Sequence, residues 1–344
     1  MLQNFAQRLI AWQRRHGRHD LPWQNTRDPY RVWLAEVMLQ QTQVATVIPY
    51  YARFLARFPR LDDLAAASLD EVMTLWSGLG YYARARNLHR CACQVVALHR
   101  GDFPRDPAIL AQLPGIGRST ANAIAAFCFG VRAPILDGNV KRLLCRHFGI
   151  AGDPSAAPTE THLWQIAEEL LPKRRVATYL QAQMDLGALV CTRSRPRCSH
   201  CPVAASCRAL HEGRTAELPT PRSRRVLPQR QVTLLALLHA GRIALERRPP
   251  AGVWGSLWSL PELPTGREAA DFARDALGLR LSAVQPAPSL QHDFTHFRLH
   301  IQPLICRVAG VSGSAESRLF WCAHGDLAHV ALPAPLRRLI NGIL

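Results

Sequence analysis

Apolar positions along the first 190 residues recur at helical spacing, and no stretch there alternates as a strand would. Phe5, Leu9 and Trp12 share one side of a basic first segment that runs into Leu21-Pro22-Trp23. Asp28-Pro29 is an N-cap followed by Pro at the first helical position, which predicts a helix over 30–39. Further helices are expected over 44–58, with Pro49 inside it, and around 69–76. The stretch Leu113-Pro114-Gly115-Ile116-Gly117-Arg118-Ser119-Thr120 is a tight turn between two helical patterns. Pro114 closes the incoming helix, and Gly115 and Gly117 permit positive φ and close backbone approach. The outgoing helix starts near Ser119 and carries Ala123, Ile124 and Phe127. Asp137 is placed as the N-cap of a helix over 138–148.

Beyond residue 190 the pattern changes. Residues 212–230 are rich in Pro and Arg and read as a linker. A hairpin is expected from 232–238 and 243–247 with its turn at 239–241, then a helix over 267–277, a strand over 298–308 and a final helix over 335–343. The chain is therefore multidomain: an all-α region over 1–211, a linker over 212–230 and an α+β domain over 231–344.

Charge adds a partner class. A formal net charge of +17 on 344 residues favours a polyanion, with DNA, RNA and an anionic membrane surface as the options. Apolar runs such as 232–238 are too short to span a bilayer, so no membrane is expected. The basic N-terminal segment imitates a transit peptide, but its continuity with Leu21-Pro22-Trp23 reads as the first helix of the fold.

Four features carry chemistry. Glu36 lies among Val32, Trp33, Val37 and Met38, where desolvation raises a carboxyl pKa into the range useful to a general acid. Asp137 puts a second carboxylate at a helix mouth. Exposed N–H groups at the start of the helix after Gly117, beside Arg118, suit a phosphate and read no base. Gln40-Gln41-Thr42-Gln43 looks like a loop facing solvent, and Gly78-Leu79-Gly80-Tyr81-Tyr82-Ala83-Arg84-Ala85-Arg86 offers a stacking wedge with phosphate contacts. Finally, Cys191-x6-Cys198-x2-Cys201-x5-Cys207 sets four thiols within seventeen residues. Zinc prefers two separated pairs, whereas one close pair flanked by wider gaps suits a [4Fe–4S] cluster, so the cluster is favoured over zinc. The remaining six of ten cysteines are scattered and read as ordinary core or surface residues.

Together these residues resemble the MutY-type adenine DNA glycosylases of the helix-hairpin-helix Gly/Pro-Asp superfamily. The match is densest over 33–44, 76–87, the hairpin, 135–142 and the cysteine set. The resemblance implies an all-α helix-hairpin-helix DNA glycosylase domain with a [4Fe–4S] cluster loop, followed by an α+β Nudix-like domain. It implies a monofunctional enzyme that flips adenine out of duplex DNA containing A:8-oxoguanine or A:G mispairs and hydrolyses its N-glycosidic bond. Glu36 takes the place of the catalytic acid, Asp137 of the catalytic aspartate, and Asn139 of the asparagine that holds aspartate and sugar. Gln41 and Tyr81 match duplex wedges, while Trp23 and Gln181 are candidates for the adenine pocket. Gly115, Gly117, Arg118, Ser119 and Lys141 are expected on DNA.

Relatives that also nick the strand carry a lysine nucleophile where Ser119 stands, which disfavours the alternative of an endonuclease III-like pyrimidine glycosylase and lyase. A non-catalytic iron–sulfur DNA-binding protein is disfavoured by the pair Glu36 and Asp137. In the C-terminal domain Phe294-Thr295-His296 matches the 8-oxoguanine recognition loop, with Thr where the family usually has Ser. The helix over 268–275 lacks the clustered glutamates that hold Mg²⁺ in Nudix hydrolases, so no nucleotide hydrolysis is expected. The resemblance also suggests a monomer in the cytoplasm, associated with the nucleoid through DNA.

Overall fold

The burial of α2 (Pro29–Leu39) on nearly every side shows how the helical region is built. Val32, Trp33, Leu34, Ala35, Val37 and Met38 are all buried, so this helix is apolar nearly all round and lies inside the fold. Its N-cap works as expected: Asp28 accepts from the Tyr30 amide at 2.9 Å, worth about 1 kcal/mol. The computed structural model describes residues 2–221, 226–311 and 319–344. The other helices of this region are α1 (Leu2–His16), α3 (Val44–Arg57), α4 (Leu61–Ala66), α5 (Leu69–Trp76), α6 (Ala83–His99), α7 (Pro107–Leu110), α8 (Arg118–Phe129), α9 (Gly138–Phe148), α10 (Ala157–Glu169), α11 (Val176–Leu189) and α12 (Arg208–His211). No described residue before Gln229 is in a strand, as the helical periodicity required.

Two compact units emerge. The first comprises Met1–Ala66 with Asn87–Arg224. Its core joins Phe5, Leu9 and Trp12 of α1 to Ile135, Val140, Leu144, Leu163, Tyr179, Leu180 and Leu186. The α8 helix packs on α2, and α9 packs on α11. These two pairings bring the mouth of α9 toward the buried face of α2, which no local pattern specifies.

The second unit comprises Ala67–Arg86 with Arg225–Leu344. Its strands are β1 (Gln229–His239), β2 (Arg242–Arg247), β3 (Trp258–Ser259), β4 (Glu262–Leu263), β5 (Leu279–Pro286), β6 (Leu290–Asp293), β7 (Arg298–Val311) and β8 (Phe320–Ala323). Their order is β3-β2-β1-β7-β5, with β4 on β1, β6 on β7 and β8 on β2. β1 and β7 run parallel from Gln229↔Arg298 to Leu238↔Arg307, and the other pairs are antiparallel. The predicted hairpin is there: Leu238 pairs with Ile243, and Ala240 and Gly241 both take the positive φ that a two-residue connection needs. Helix α13 (Ala269–Leu277) puts Ala273 and Leu277 into a core with Leu235, Leu237 and Cys306. Helix α14 (Ala334–Ile343) closes the chain.

The domain limits differ from the linear reading in two ways. Residues 67–86, expected in the helical domain, fold with the strands: the Asp70 carboxylate pairs with Arg247, and Ser77 Oγ donates to the Leu332 carbonyl at 2.9 Å. Helical periodicity identifies an amphipathic segment but not the body that covers it. The expected linker, moreover, is partly docked. Leu218 is buried and its carbonyl accepts from Arg146 Nε at 2.7 Å, while Thr220 Oγ1 accepts from the Gly152 amide at 3.0 Å. Residues 222–225 of that segment lie outside the described residues. Strands β5 and β6 were not anticipated, because short alternating runs between turns carry little signal.

Candidate active site

A cavity of about 690 Å³ opens in the helical unit, and Trp23, Glu36 and Gln181 all line it, with Gln24, Arg27, Cys128 and Met184. Three residues picked out from the sequence, from three separated segments, thus meet at one concave site. The volume falls within the range of small-molecule pockets. Burial on α2, reinforced by the charge of Asp137, pushes the Glu36 carboxyl up to about 7. No hydrogen bond from another described residue stabilises its ionised form.

Asp137 is treated differently. It caps α9, accepting from the Val140 amide at 2.8 Å, and sits at the positive end of that helix. Burial pushes its pKa up as well, but hydrogen bonds from Val140 and Asn139 and the Arg142 charge pull it down. The two acids therefore divide their roles by environment. Burial raises both carboxyls, but only Asp137 has hydrogen-bond donors and a guanidinium beside it that favour the ionised form.

Sequence reasoning missed the residues that hold this arrangement. Arg142 Nη2 donates to Asn139 Oδ1 at 2.8 Å and to the Gly187 carbonyl at 2.7 Å, while its Nε donates to the Cys191 carbonyl at 2.7 Å. Asn139 in turn hydrogen-bonds Asp137. One guanidinium so connects the aspartate's neighbour to the backbone of the first cysteine. Asn139 is packed tightly as well: a Cβ on Gly187 would stand 2.6 Å from Asn139 Cβ. Asp185, fully buried, accepts from Gln181 Nε2 at 2.9 Å and from Arg18 Nε at 2.8 Å, which fixes Gln181 at the cavity wall. The i,i+4 spacing of Gln181 and Asp185 was the only sequence signal for this contact.

The helical hairpin is present, with one correction. Gly115 uses positive φ (77°), and a Cβ there would lie 2.8 Å from Asn87 Cβ, so only glycine fits. Gly117 has φ −86°, an ordinary value, and a Cβ on it would meet nothing within 4 Å. Its lack of a side chain therefore clears the outer face of the turn and serves no internal contact. Arg118 lies over the Trp164 ring at 4.0 Å, and the Ser119 hydroxyl accepts from the Leu136 amide at 3.0 Å, pinning the segment that leads to Asp137. Lys141, expected at a phosphate, is held by Glu160 at 2.9 Å.

Gln41 and Tyr81 share an unusual conformation, positive φ in non-glycine residues (57° and 49°), and both are exposed. The arginines beside Tyr81 were expected at phosphates. Instead Arg84 is buried, bonded to the Leu79 and Gly80 carbonyls, and Arg86 donates to the Gly255 carbonyl at 2.7 Å.

Cys191, Cys198, Cys201 and Cys207 line one cavity with Leu143, Arg146 and Val203. Arg146, only 2% exposed, reaches Cys191 Sγ at 3.4 Å and the Thr192 and Arg193 carbonyls at 2.6 and 2.9 Å. Burial, with the neighbouring thiolates adding to it, pushes Cys201 up to about 12, so these thiols need a cationic centre to ionise together. Among the described residues no three His, Cys, Asp or Glu side chains converge on a single ion. An all-thiol set spread around one cavity fits a multi-iron centre, whose ligands bind different corners.

In the second unit, Phe294, Thr295 and His296 form the tight turn between β6 and β7, closed by the Phe294 amide on the Phe297 carbonyl at 2.9 Å. Thr295 and His296 are exposed at the tip, while Phe294 stacks on Phe297 at 4.5 Å. On α13 both carboxylates are committed to arginines, Asp271 to Arg274 and Asp275 to Arg267 and Arg274.

Fold and site together define a base excision repair protein with an appended Nudix-like domain. A family model described as "HhH-GPD superfamily base excision DNA repair protein" matches residues 34–169, and a NUDIX domain model matches 232–342. The adenine DNA glycosylase of Buchnera aphidicola subsp. Acyrthosiphon pisum is 35% identical over 339 residues, covering 98% of this chain and 97% of its own length. That of Mus musculus is 48% identical over 227 residues, 62% of this chain and 44% of its own. The chain belongs to the adenine DNA glycosylase family. A thermostable thymine-DNA glycosylase structure, 27% identical, superposes with a TM-score of 0.56 over 61% of this chain and 97% of its own. An endonuclease III–DNA complex, 24% identical with a TM-score of 0.53 over 62% of this chain and 98% of its own, shares the fold.

Proposed function

We propose that this chain is a monofunctional glycosylase that excises adenine from A:8-oxoguanine and A:G mispairs in duplex DNA. The observation that carries the reading is Glu36, its carboxyl pushed up to about 7, on the wall of a cavity roomy enough for a flipped base, with Asp137 within electrostatic reach. Adenine is a poor leaving group as an anion, so its N-glycosidic bond breaks readily only when the base is protonated, most simply at N7. Glu36 supplies that proton. As the bond stretches the sugar becomes oxocarbenium-like, and the charge of Asp137, held by Val140 and Asn139, opposes it. Water then adds to the anomeric carbon. Flipping is required because the bond is inaccessible in the stack, and Trp23 and Gln181 supply the surface that receives the base.

The monofunctional reading rests on lysine chemistry. The chain has two lysines, Lys141 and Lys173. The ammonium of Lys141 is tied to Glu160, and Ser119 occupies the hairpin position where a Schiff-base nucleophile would stand. Single-turnover incubation with an A:8-oxoguanine duplex should give strand cleavage only after hot alkali, on the adenine strand, and none with A:T. Nicking without alkali would identify a lyase and overturn the assignment.

The four cysteines would hold a [4Fe–4S] cluster. Such a cluster balances the thiolate charge and cross-links the loop between Cys191 and Cys207. Arg142 and Arg146 carry that order to α9 and so to Asp137. The purified protein should be brown, with a broad visible thiolate-to-iron band and four irons per chain (the stoichiometry of the proposed centre). Replacing Cys198 with serine should reduce the iron and lower the melting temperature; a colourless, zinc-containing wild type would exclude the cluster.

A further inference from the structure

Two strained turns in the second unit are tied together by one guanidinium. The first carries Tyr81, which is 48% exposed at φ 49°. Its shape is imposed from below: Trp76 Nε1 donates to the Gly80 carbonyl at 3.0 Å, Arg84 lies over the Trp76 and Tyr81 rings at 5.2 and 5.5 Å, and Tyr82 OH receives the Gly78 amide at 3.3 Å. The second turn is Trp254-Gly255-Ser256. Trp254 and Ser256 both hold positive φ (54° and 63°), and a Cβ on Gly255 would come within 2.4 Å of the Pro250 carbonyl oxygen. Non-glycine residues in this region are strained and persist only where surrounding contacts over-determine them. Arg86, in the first turn of α6, donates to the Gly255 carbonyl at 2.7 Å and joins the two.

The Trp254 ring, in turn, supports the recognition tip. It is buried and lies 6.0 Å from the Phe294 ring and 6.1 Å from His292, and those two rings meet edge-on at 4.7 Å. A continuous set of contacts therefore runs from the Phe294–His296 tip through Trp254 and Gly255 to Arg86 and the Tyr81 turn. All of these residues belong to the same compact unit.

We propose that Arg86 is a positioning residue that couples the tip reading the base opposite adenine to the turn carrying the Tyr81 wedge. When the tip engages 8-oxoguanine, the Trp254–Ser256 turn is fixed, and Arg86 transmits that order to Tyr81. The inference rests on the assignments of Tyr81 and Phe294–His296 in the proposed function. It makes Arg86 a determinant of opposite-base discrimination that touches neither base.

The test measures single-turnover excision from A:8-oxoguanine and A:G duplexes with full-length wild type, Arg86→Ala, Phe294→Ala and the double variant. Alanine is favourable in α6, so Arg86→Ala should fold. It is expected to slow excision opposite 8-oxoguanine about tenfold, the scale of one lost charge-assisted hydrogen bond, with the A:G rate unchanged. In the Phe294→Ala background the same substitution should leave the ratio of the two rates where it was. An unchanged ratio in Arg86→Ala, an equal fall in both rates, or additive effects in the double variant would overturn the coupling. A wild type that leaves adenine intact opposite 8-oxoguanine would instead overturn the proposed function, and this inference with it.

Discussion

Replacing Glu36 with glutamine should lower single-turnover adenine excision by on the order of 10²–10⁴, the usual contribution of a positioned general acid. Glutamine keeps the shape of the side chain at the cavity wall but carries no transferable proton. DNA binding should survive, because Glu36 lies on a largely buried helix and is not among the side chains expected to contact phosphates. The pH profile separates this role from a packing role. With the acid pushed up to about 7, wild-type excision should decline as pH rises through that value, while the residual rate of Glu36→Gln should lack this limb.

Stability should move the other way. The folded pKa of Glu36 lies above its unfolded value of 4.5, so its favourable contribution is present below 4.5 and is lost as pH rises through about 7. Above that pH the wild type carries an ionised, desolvated carboxylate. The glutamine variant should then be the more stable protein, by on the order of 3 kcal/mol for a shift of this size. Urea unfolding at pH 5 and pH 8 checks it; a variant that is less stable at pH 8 and equally active would remove Glu36 from the mechanism.

Asp137→Asn should cost at least about a thousandfold in excision while leaving the fold intact. Asparagine is as good an N-cap as aspartate, so the bond from the Val140 amide and the start of α9 are kept. Only the charge facing the sugar disappears. Because that charge is itself desolvated, the melting temperature should hold or rise. The variant should still bind the mispaired duplex tightly, which a gel-shift measurement alongside single-turnover kinetics would show. Loss of binding in step with loss of excision would mean that Asp137 acts only by shaping α9.

Much of this site was legible in the sequence because its parts are local. An apolar helix surrounding Glu36 can be read from i, i+3 and i+4 neighbours, and an aspartate before Gly138 announces both a cap and a helix mouth. Four cysteines within seventeen residues point to a metal centre without any fold. What could not be read is who restrains whom. Arg142 and Arg146 look like two more basic residues in a very basic chain, yet they tie α9 to the cysteine loop through backbone carbonyls. Backbone carbonyls have no sequence signature, so such contacts are invisible before the fold exists.

The same limit explains the domain boundary and the contacts of several basic residues. Residues 67–86 have a clear helical pattern, but only packing places them with the strands of the second unit. Lys141, Arg84 and Arg86 carry the charge expected of phosphate ligands, and the fold engages them with Glu160 and with backbone carbonyls. By itself, then, the sequence determined the element types, the two acids, the hairpin and the thiol set, since each depends on residues adjacent along the chain or one helical turn apart. Tertiary structure alone decided that Trp23, Glu36 and Gln181 share one cavity and that Asp137 lies close enough to raise the Glu36 carboxyl further. Those outcomes depend on burial and on partners more than a hundred residues away, and burial and distant hydrogen bonds are what set a carboxyl group's proton affinity.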